Sequence, residues 1–169
     1  MDVPDEVAAA FAYDFPVDRL LHRFKFGGDL AVGDWLAGRL VKRVAREARP
    51  DVLVVPPLSP ARLRERGFNQ ALEIARRAGL ALGVRVDRGG IARVRETSSQ
   101  TGLDRASRRQ NLHGAFRCDR DYRGLRVALV DDVFTTGATA ETLAAVLRSA
   151  GASQVDVWVV ARTAGPRGS

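Results

Sequence analysis

Val127 to Thr139 reads Val-Ala-Leu-Val-Asp-Asp-Val-Phe-Thr-Thr-Gly-Ala-Thr, an apolar run closed by two carboxylates that passes into a small hydroxylated loop. These residue types suit the two ends of a phosphorylated sugar. Thr135, Thr136, Gly137, Ala138 and Thr139 supply hydroxyls, successive backbone N–H groups and a glycine free to take positive φ. They open onto a helix N-terminus, whose partial positive charge favours an anion. Asp131 and Asp132 would repel a phosphate laid against them, but ionised carboxylates are acceptors only and match the two donor hydroxyls of a ribose 2′,3′-diol. Alone, Asp-Asp is a strand end and Thr-Thr-Gly a turn. The succession of buried run, paired acids, hydroxyl loop and amphipathic helix is what specifies a site.

The elements that must hold these groups follow from periodicity. Leu125 to Val130 has the length and composition of a strand buried on both faces, as in a parallel sheet. Ala138 to Ala150 carries Leu143, Val146 and Leu147 at helical spacing before Gly151. In an open α/β sheet, ligands bind beyond the carboxyl ends of the strands, where the polar loop falls. Upstream, the pattern predicts a strand over Phe11 to Phe15, a helix over Val17 to Phe24 and a longer helix over Leu30 to Arg46. It then predicts a strand over Asp51 to Val55 stopped by Pro56-Pro57, a helix over Ala71 to Leu82, and strands over Ile91 to Val94 and Val155 to Ala161. Strands separated by helices imply an α/β fold with a mostly parallel central sheet flanked by helices.

Val127 to Thr139 resembles the phosphoribosyl pyrophosphate (PRPP) motif of type I phosphoribosyltransferases. The chain also carries Leu20 to Asp29, Arg64-Glu65-Arg66-Gly67-Phe68-Asn69-Gln70, Gln100-Thr101-Gly102-Leu103 and Arg108-Arg109-Gln110-Asn111-Leu112-His113-Gly114-Ala115-Phe116. With these segments it resembles the ComF (competence protein F) family. The resemblance implies a type I phosphoribosyltransferase-like fold, PRPP as donor with Mg²⁺, and a link to competence and DNA uptake. It implies Asp131 and Asp132 as catalytic residues that, with Thr135 to Thr139, bind PRPP. It places the pyrophosphate loop at Pro57, Leu58 and Ser59, where Pro57 has no N–H to offer. Mg²⁺ would be held mainly through the ligand, with Asp131 the one protein carboxylate considered.

Purine-salvage relatives place an Asp at the position of Thr135, where it handles a proton on the base. Thr135 cannot act as a general base at neutral pH, so amine or pyrimidine-type acceptors fit better than purines. The transferase reading stands beside two others: a PRPP or nucleotide sensor without turnover, and an accessory factor of DNA uptake that contacts single-stranded DNA or the uptake machinery. Neither the acceptor nor the oligomeric state has a readable signature.

Composition sets bounds. At 169 residues and 46% hydrophobic the chain can bury one substantial core, with no linker long enough to divide it. The expected division is one domain: an N-terminal hood and helical part over 1–50, a core over 51–162 and a tail over 163–169. No apolar run reaches transmembrane length, and Asp2, Asp5 and Glu6 stand where a secretory signal would be basic, so membrane insertion is not expected and a cytoplasmic location is. Cys118 is the only cysteine, which excludes an intramolecular disulfide and a cysteine-built zinc site in this sequence; of the four-cysteine zinc module that the family usually carries N-terminally, either it is absent or the chain is a trimmed form. The net charge of +7 invites a nucleic-acid partner, but the aromatics are sparse and form no stacking stripe among the arginines.

Further residues could reach an anion. Arg62, Arg64 and Arg66 alternate, so an extended backbone would send them to one side and a helix would scatter them. Lys25, one of two lysines, sits between Phe24 and Phe26 and reads equally as a ligand contact or a lysine snorkelling beside core aromatics. Arg95 to Arg109 reads as a mobile flap offering Arg95, Gln100 and Arg108 to a bound sugar phosphate and excluding water when closed. His22 and His113 have no metal-ligand spacing and read as structural or surface residues.

Overall fold

The computed structural model describes residues 3–95, 112 and 114–164, and every structural statement below concerns those residues. Twelve elements run in the order β1 (Val7–Ala12), α1 (Val17–Gly27), α2 (Leu30–Val44), β2 (Val52–Val54), α3 (Pro60–Arg66), α4 (Gln70–Leu82), β3 (Arg85–Asp87), β4 (Ile91–Arg93), β5 (Phe116–Cys118), β6 (Arg126–Phe134), α5 (Ala138–Ser149) and β7 (Gln154–Arg162). Five strands form one sheet in the order β1-β7-β6-β2-β3, and every pairing is parallel. The strands β4 and β5 make a separate antiparallel ribbon.

The central strand β6 explains the layering. Side chains alternate across a strand, so Val127 and Leu129 join Val155, Val157 and Val159 of β7 against Leu143 and Leu147 of α5. Ala128 and Val130 join Trp158 and Val160 against Leu36 and Leu40 of α2 and Ile74 and Ala78 of α4. Both faces are covered, which is why the strand reads as a continuous apolar run. Each fully buried leucine or isoleucine contributes on the order of 2 kcal/mol.

The connections leave β2 and β6 in opposite directions. From β2 the chain runs through α3 and α4 to β3 at one edge, while from β6 it runs through α5 to β7 on the other side. Neighbouring strands whose crossovers diverge leave a crevice at their carboxyl ends, the usual ligand site of such sheets. The loops Val55 to Ser59 and Thr135 to Gly137 both lie there.

The structure shifts several expected boundaries. The first strand is Val7–Ala12 rather than Phe11 to Phe15, because its register is set by parallel pairing with β7 from Val7↔Val157 to Ala12↔Arg162. The run at Arg62, Arg64 and Arg66 is helical: the Ser59 hydroxyl caps α3 by accepting from the Arg62 N–H at 3.3 Å, Pro60 opens it, and Gly67 at φ 76° ends it. Arg64 therefore points away from Arg62 and Arg66, which are four residues apart and share a helix face. Strands β3 and β5 were not apparent from periodicity, and β6 runs past Val130 to Phe134.

Candidate functional site

The β6 extension carries the two acids. β2 last pairs at Val54↔Leu129, whereas β7 stays paired with β6 as far as Val133↔Ala161 and Phe134↔Arg162. Asp131 and Asp132 thus lie within a strand rather than beyond it, with the β2-side edge beside them open to the crevice. Their carboxylates turn back on the chain: the Asp132 N–H donates to Asp131 Oδ1 at 2.8 Å, and the Val133 N–H donates to Asp132 Oδ1 at 2.7 Å.

Strand alternation separates their surroundings. Asp131 shares its face with Leu129 and Val133 and lines a hollow completed by Phe134, the Thr135 to Thr139 loop, Ala140, Val157 and Val159. This hollow has a water-accessible volume of about 50 Å³, a space suited to a small anion and not to a whole phosphoribosyl group. Asp132 faces the other layer, where the Lys25 ammonium at the end of α1 approaches its Oδ2 to 2.7 Å.

The two carboxyls therefore differ. Burial pushes Asp131 well above the usual carboxylate range, and the charge of Asp132 and a hydrogen bond between the two groups push it further. Burial would raise Asp132 too, but the Lys25 ammonium, its hydrogen bond and those from Asp131 and the Val133 N–H hold Asp132 below that range. The two carboxyls thus have different surroundings: Asp132 is paired with the Lys25 ammonium, and Asp131 lines the hollow on the other face.

The loop after β6 is built to leave donors free. Gly137 precedes α5 at φ 83°, and no side chain caps this helix, whereas Asp29, Ser59 and Asn69 cap α2, α3 and α4. The first-turn N–H groups of α5 thus keep their capacity for an anion. Thr163 supports the loop from β7, its N–H donating to the Phe134 carbonyl at 3.0 Å and its hydroxyl to the Thr135 carbonyl at 3.2 Å. Thr135 is exposed, Thr136 and Thr139 are half-buried, and Ala138 is buried.

Across the crevice, Pro57, Leu58 and Ser59 are half-buried, and the Ser59 hydroxyl is engaged as the α3 cap. Asn69, which periodicity did not single out, fixes this loop: its Nδ2 donates to the Pro56 carbonyl at 3.0 Å while its Oδ1 accepts from the Ala71 and Leu72 N–H groups. Arg66 does not turn to the loop in any recorded contact; its guanidinium lies over the Phe26 ring, 5.3 Å from the centroid. Arg95 is exposed just after β4. Gln100, Arg108 and His113 lie outside the described residues.

Among the described residues no group of three or more His, Cys, Asp and Glu side chains could cage a metal ion. The oxygen donors present, Asp131 and the threonine hydroxyls, fit a hard cation held chiefly by its ligand's phosphates. No helix among the described residues is long and apolar enough to cross a membrane.

No protein-family model matches the chain. It is 36% identical over 157 residues to DNA utilization protein YhgH of Salmonella typhimurium, covering 89% of this chain and 69% of that protein. It is 33% identical over 168 residues to competence protein F of Haemophilus influenzae, covering 94% and 73%. Competence protein ComFC of Streptococcus pneumoniae is 28% identical over 154 residues, covering 91% and 67%. In structure it resembles the glutamine PRPP amidotransferase of B. subtilis complexed with ADP and GMP, with a TM-score of 0.50 and 24% identity over 76% of this chain and 26% of that one. An allosteric regulatory enzyme of purine biosynthesis gives 0.51 and 23% over 75% and 25%. The chain thus spans about a quarter of either enzyme, and that likeness bears on the fold, which is of the phosphoribosyltransferase type.

Proposed function

This chain belongs to the family of competence protein F and DNA utilization protein YhgH, and from that premise we propose that it binds PRPP with Mg²⁺ and transfers the phosphoribosyl group to a nitrogenous acceptor. One observation carries the reading: the uncapped, glycine-led start of α5 shares one hollow with the Asp131 carboxyl. A 5′-phosphate takes the free N–H groups, and the ribose hydroxyls meet the carboxyls at the end of β6. The Pro57 to Ser59 loop, beside it in the crevice, receives the pyrophosphate.

Asp131 is the protein oxygen that would hold Mg²⁺, which would supply charge neutralisation for the leaving pyrophosphate. As the bond from ribose C1 to the pyrophosphate oxygen breaks, positive charge grows on the sugar. Asp132, kept ionised by Lys25, is the negative group positioned to stabilise it. The acceptor nitrogen then bonds to C1 and releases its proton to solvent, since Thr135 offers no base.

Asp131→Asn with Asp132→Asn tests the reading by calorimetry with PRPP and Mg²⁺. Binding is abolished; a folded double variant that keeps its affinity sinks the proposal. A pyrophosphate-release screen against bases and amines separates turnover from a sensor, which would bind PRPP and release nothing.

Contact with single-stranded DNA is a second reading, favoured by one surface. An open cleft of about 800 Å³ along α4 and the edge strand β3 is lined by Arg76, Arg77, Arg85 and Arg88. The relatives' names connect them to competence and DNA utilization, and cytoplasmic single strands or the uptake machinery would be the partners. Binding that weakens steeply with salt supports this, and no binding at low salt removes it.

A further inference from the structure

We propose that the corner between α3 and α4, together with the end of α1, forms a subsite for an acidic group carried by the acceptor. The inference rests on the PRPP reading and gives that reaction a class of acceptor.

Arg66 closes α3 with its guanidinium over Phe26, and its Nε and Nη1 are buried without an acceptor among the described residues. Buried N–H groups of a cation that lack a partner are costly, more so than neutral ones. Gln70 opens α4 on the same corner. It is 5% exposed, and its Oε1 meets no donor among the described residues. Within five residues the chain thus holds unspent donors on a cation and an unspent acceptor, the complement of a carboxylate or phosphate adjoining an N–H or O–H.

Phe26 supplies the surface. It is 52% exposed, with the His22 ring centroid 4.8 Å away and the Arg66 guanidinium 5.3 Å from its own centroid. A planar ligand at the exposed part of that ring comes within reach of Arg66, and arginine is suited to bidentate contact with carboxylate or phosphate. The neighbouring Lys25 reaches Asp132, so the subsite adjoins the reacting end of β6.

The anions of PRPP are accounted for elsewhere. The Thr135 to Thr139 loop lies with Asp131 on the opposite face of β6 from Lys25 and Asp132, and Arg66 stands at the far end of α3 from Ser59 with its guanidinium over Phe26. The corner is nonetheless held firmly, because Asn69 ties it to the Pro56 carbonyl and Phe68 packs on Phe24 with centroids 5.4 Å apart.

The test is calorimetric titration of the whole chain, alone and with PRPP and Mg²⁺, using matched pairs: orotate and uracil, nicotinate and nicotinamide, anthranilate and aniline. At least one acidic member binds about tenfold or more tightly than its neutral partner, and Arg66→Met removes that preference. The absence of an acidic preference in every pair overturns the proposal, as does a preference that survives Arg66→Met. Melting curves confirm that the variant is folded; should it not fold, Arg66→Lys, which keeps the charge and loses the planar fork, must reduce the preference. If PRPP fails to bind while the acidic preference persists on the protein alone, the transferase reading falls and the subsite stands.

Discussion

The Lys25 ammonium stands 2.7 Å from Asp132 Oδ2 and pins the end of α1 to the central strand. Asp132 is 5% exposed, so its charge depends on that partner. Lys25→Met strands a buried carboxylate and costs about 3 kcal/mol in urea unfolding. The double variant Lys25→Met with Asp132→Asn removes both charges and recovers much of the loss. Strictly additive losses would show that the two side chains do not interact in solution.

Gly137 joins the phosphate loop to α5 with φ 83°, and a Cβ there would lie 2.8 Å from Phe134 Cζ. Gly137→Ala meets both a left-handed backbone and a ring that must move, at a cost of roughly 1–2 kcal/mol. The displaced loop weakens PRPP about tenfold, read by calorimetry. An unchanged affinity would place the phosphate away from this turn.

Tyr122 and Asp87 fasten the β4–β5 ribbon to the sheet. The buried Tyr122 hydroxyl donates to Asp87 Oδ2 at 3.1 Å, and burial, ahead of the Asp87 charge, pushes the phenol far above its ordinary value. Gly90 lies so close that a Cβ on it would overlap that hydroxyl. Tyr122→Phe removes a hydrogen bond to a charged group and costs about 2 kcal/mol. Gly90→Ala is disruptive in the wild-type background and milder beside Tyr122→Phe, because the overlapping oxygen is gone. Equal losses in both backgrounds would contradict the contact.

Much of this was legible in the chain, for identifiable reasons. Val127 to Thr139 could be read because buried run, paired acids, hydroxyl loop and amphipathic helix follow one another there, and α1, α2, α4 and α5 because each buries an apolar stripe. By contrast, α3 buries no residue and so has no stripe. Its signals were the local ones, Ser59 and Pro60 before it and Gly67 after it. Strand β3 offers one apolar residue in Arg85-Val86-Asp87, too little for a period. The extension of β6 through the acids comes from its pairing with β7, and the pairings of Lys25 with Asp132 and Arg66 with Phe26 join segments distant in sequence. Contacts of that kind exist only once the layers close. The different surroundings of Asp131 and Asp132 follow from the same closure.

Asp156 tests burial against charge away from the site. It lies in β7 at 7% exposure, both its oxygens accepting from Gln154 Nε2 at 3.0 and 2.8 Å. Burial raises its carboxyl above the ordinary value, and the Asp5 charge adds to this while the Gln154 hydrogen bond opposes it. A carboxyl raised by folding binds its proton more tightly in the native state than in the unfolded chain. Its stabilising contribution is therefore full below the unfolded value, near 4, and is lost as pH rises through the raised folded value. Asp156→Asn keeps a neutral acceptor for Gln154 and sheds that dependence. Its melting temperature relative to wild type climbs as pH rises from about 4 through the raised folded value and then levels off. A difference that falls with rising pH would mean that the carboxylate, not the acid, is the form the fold favours.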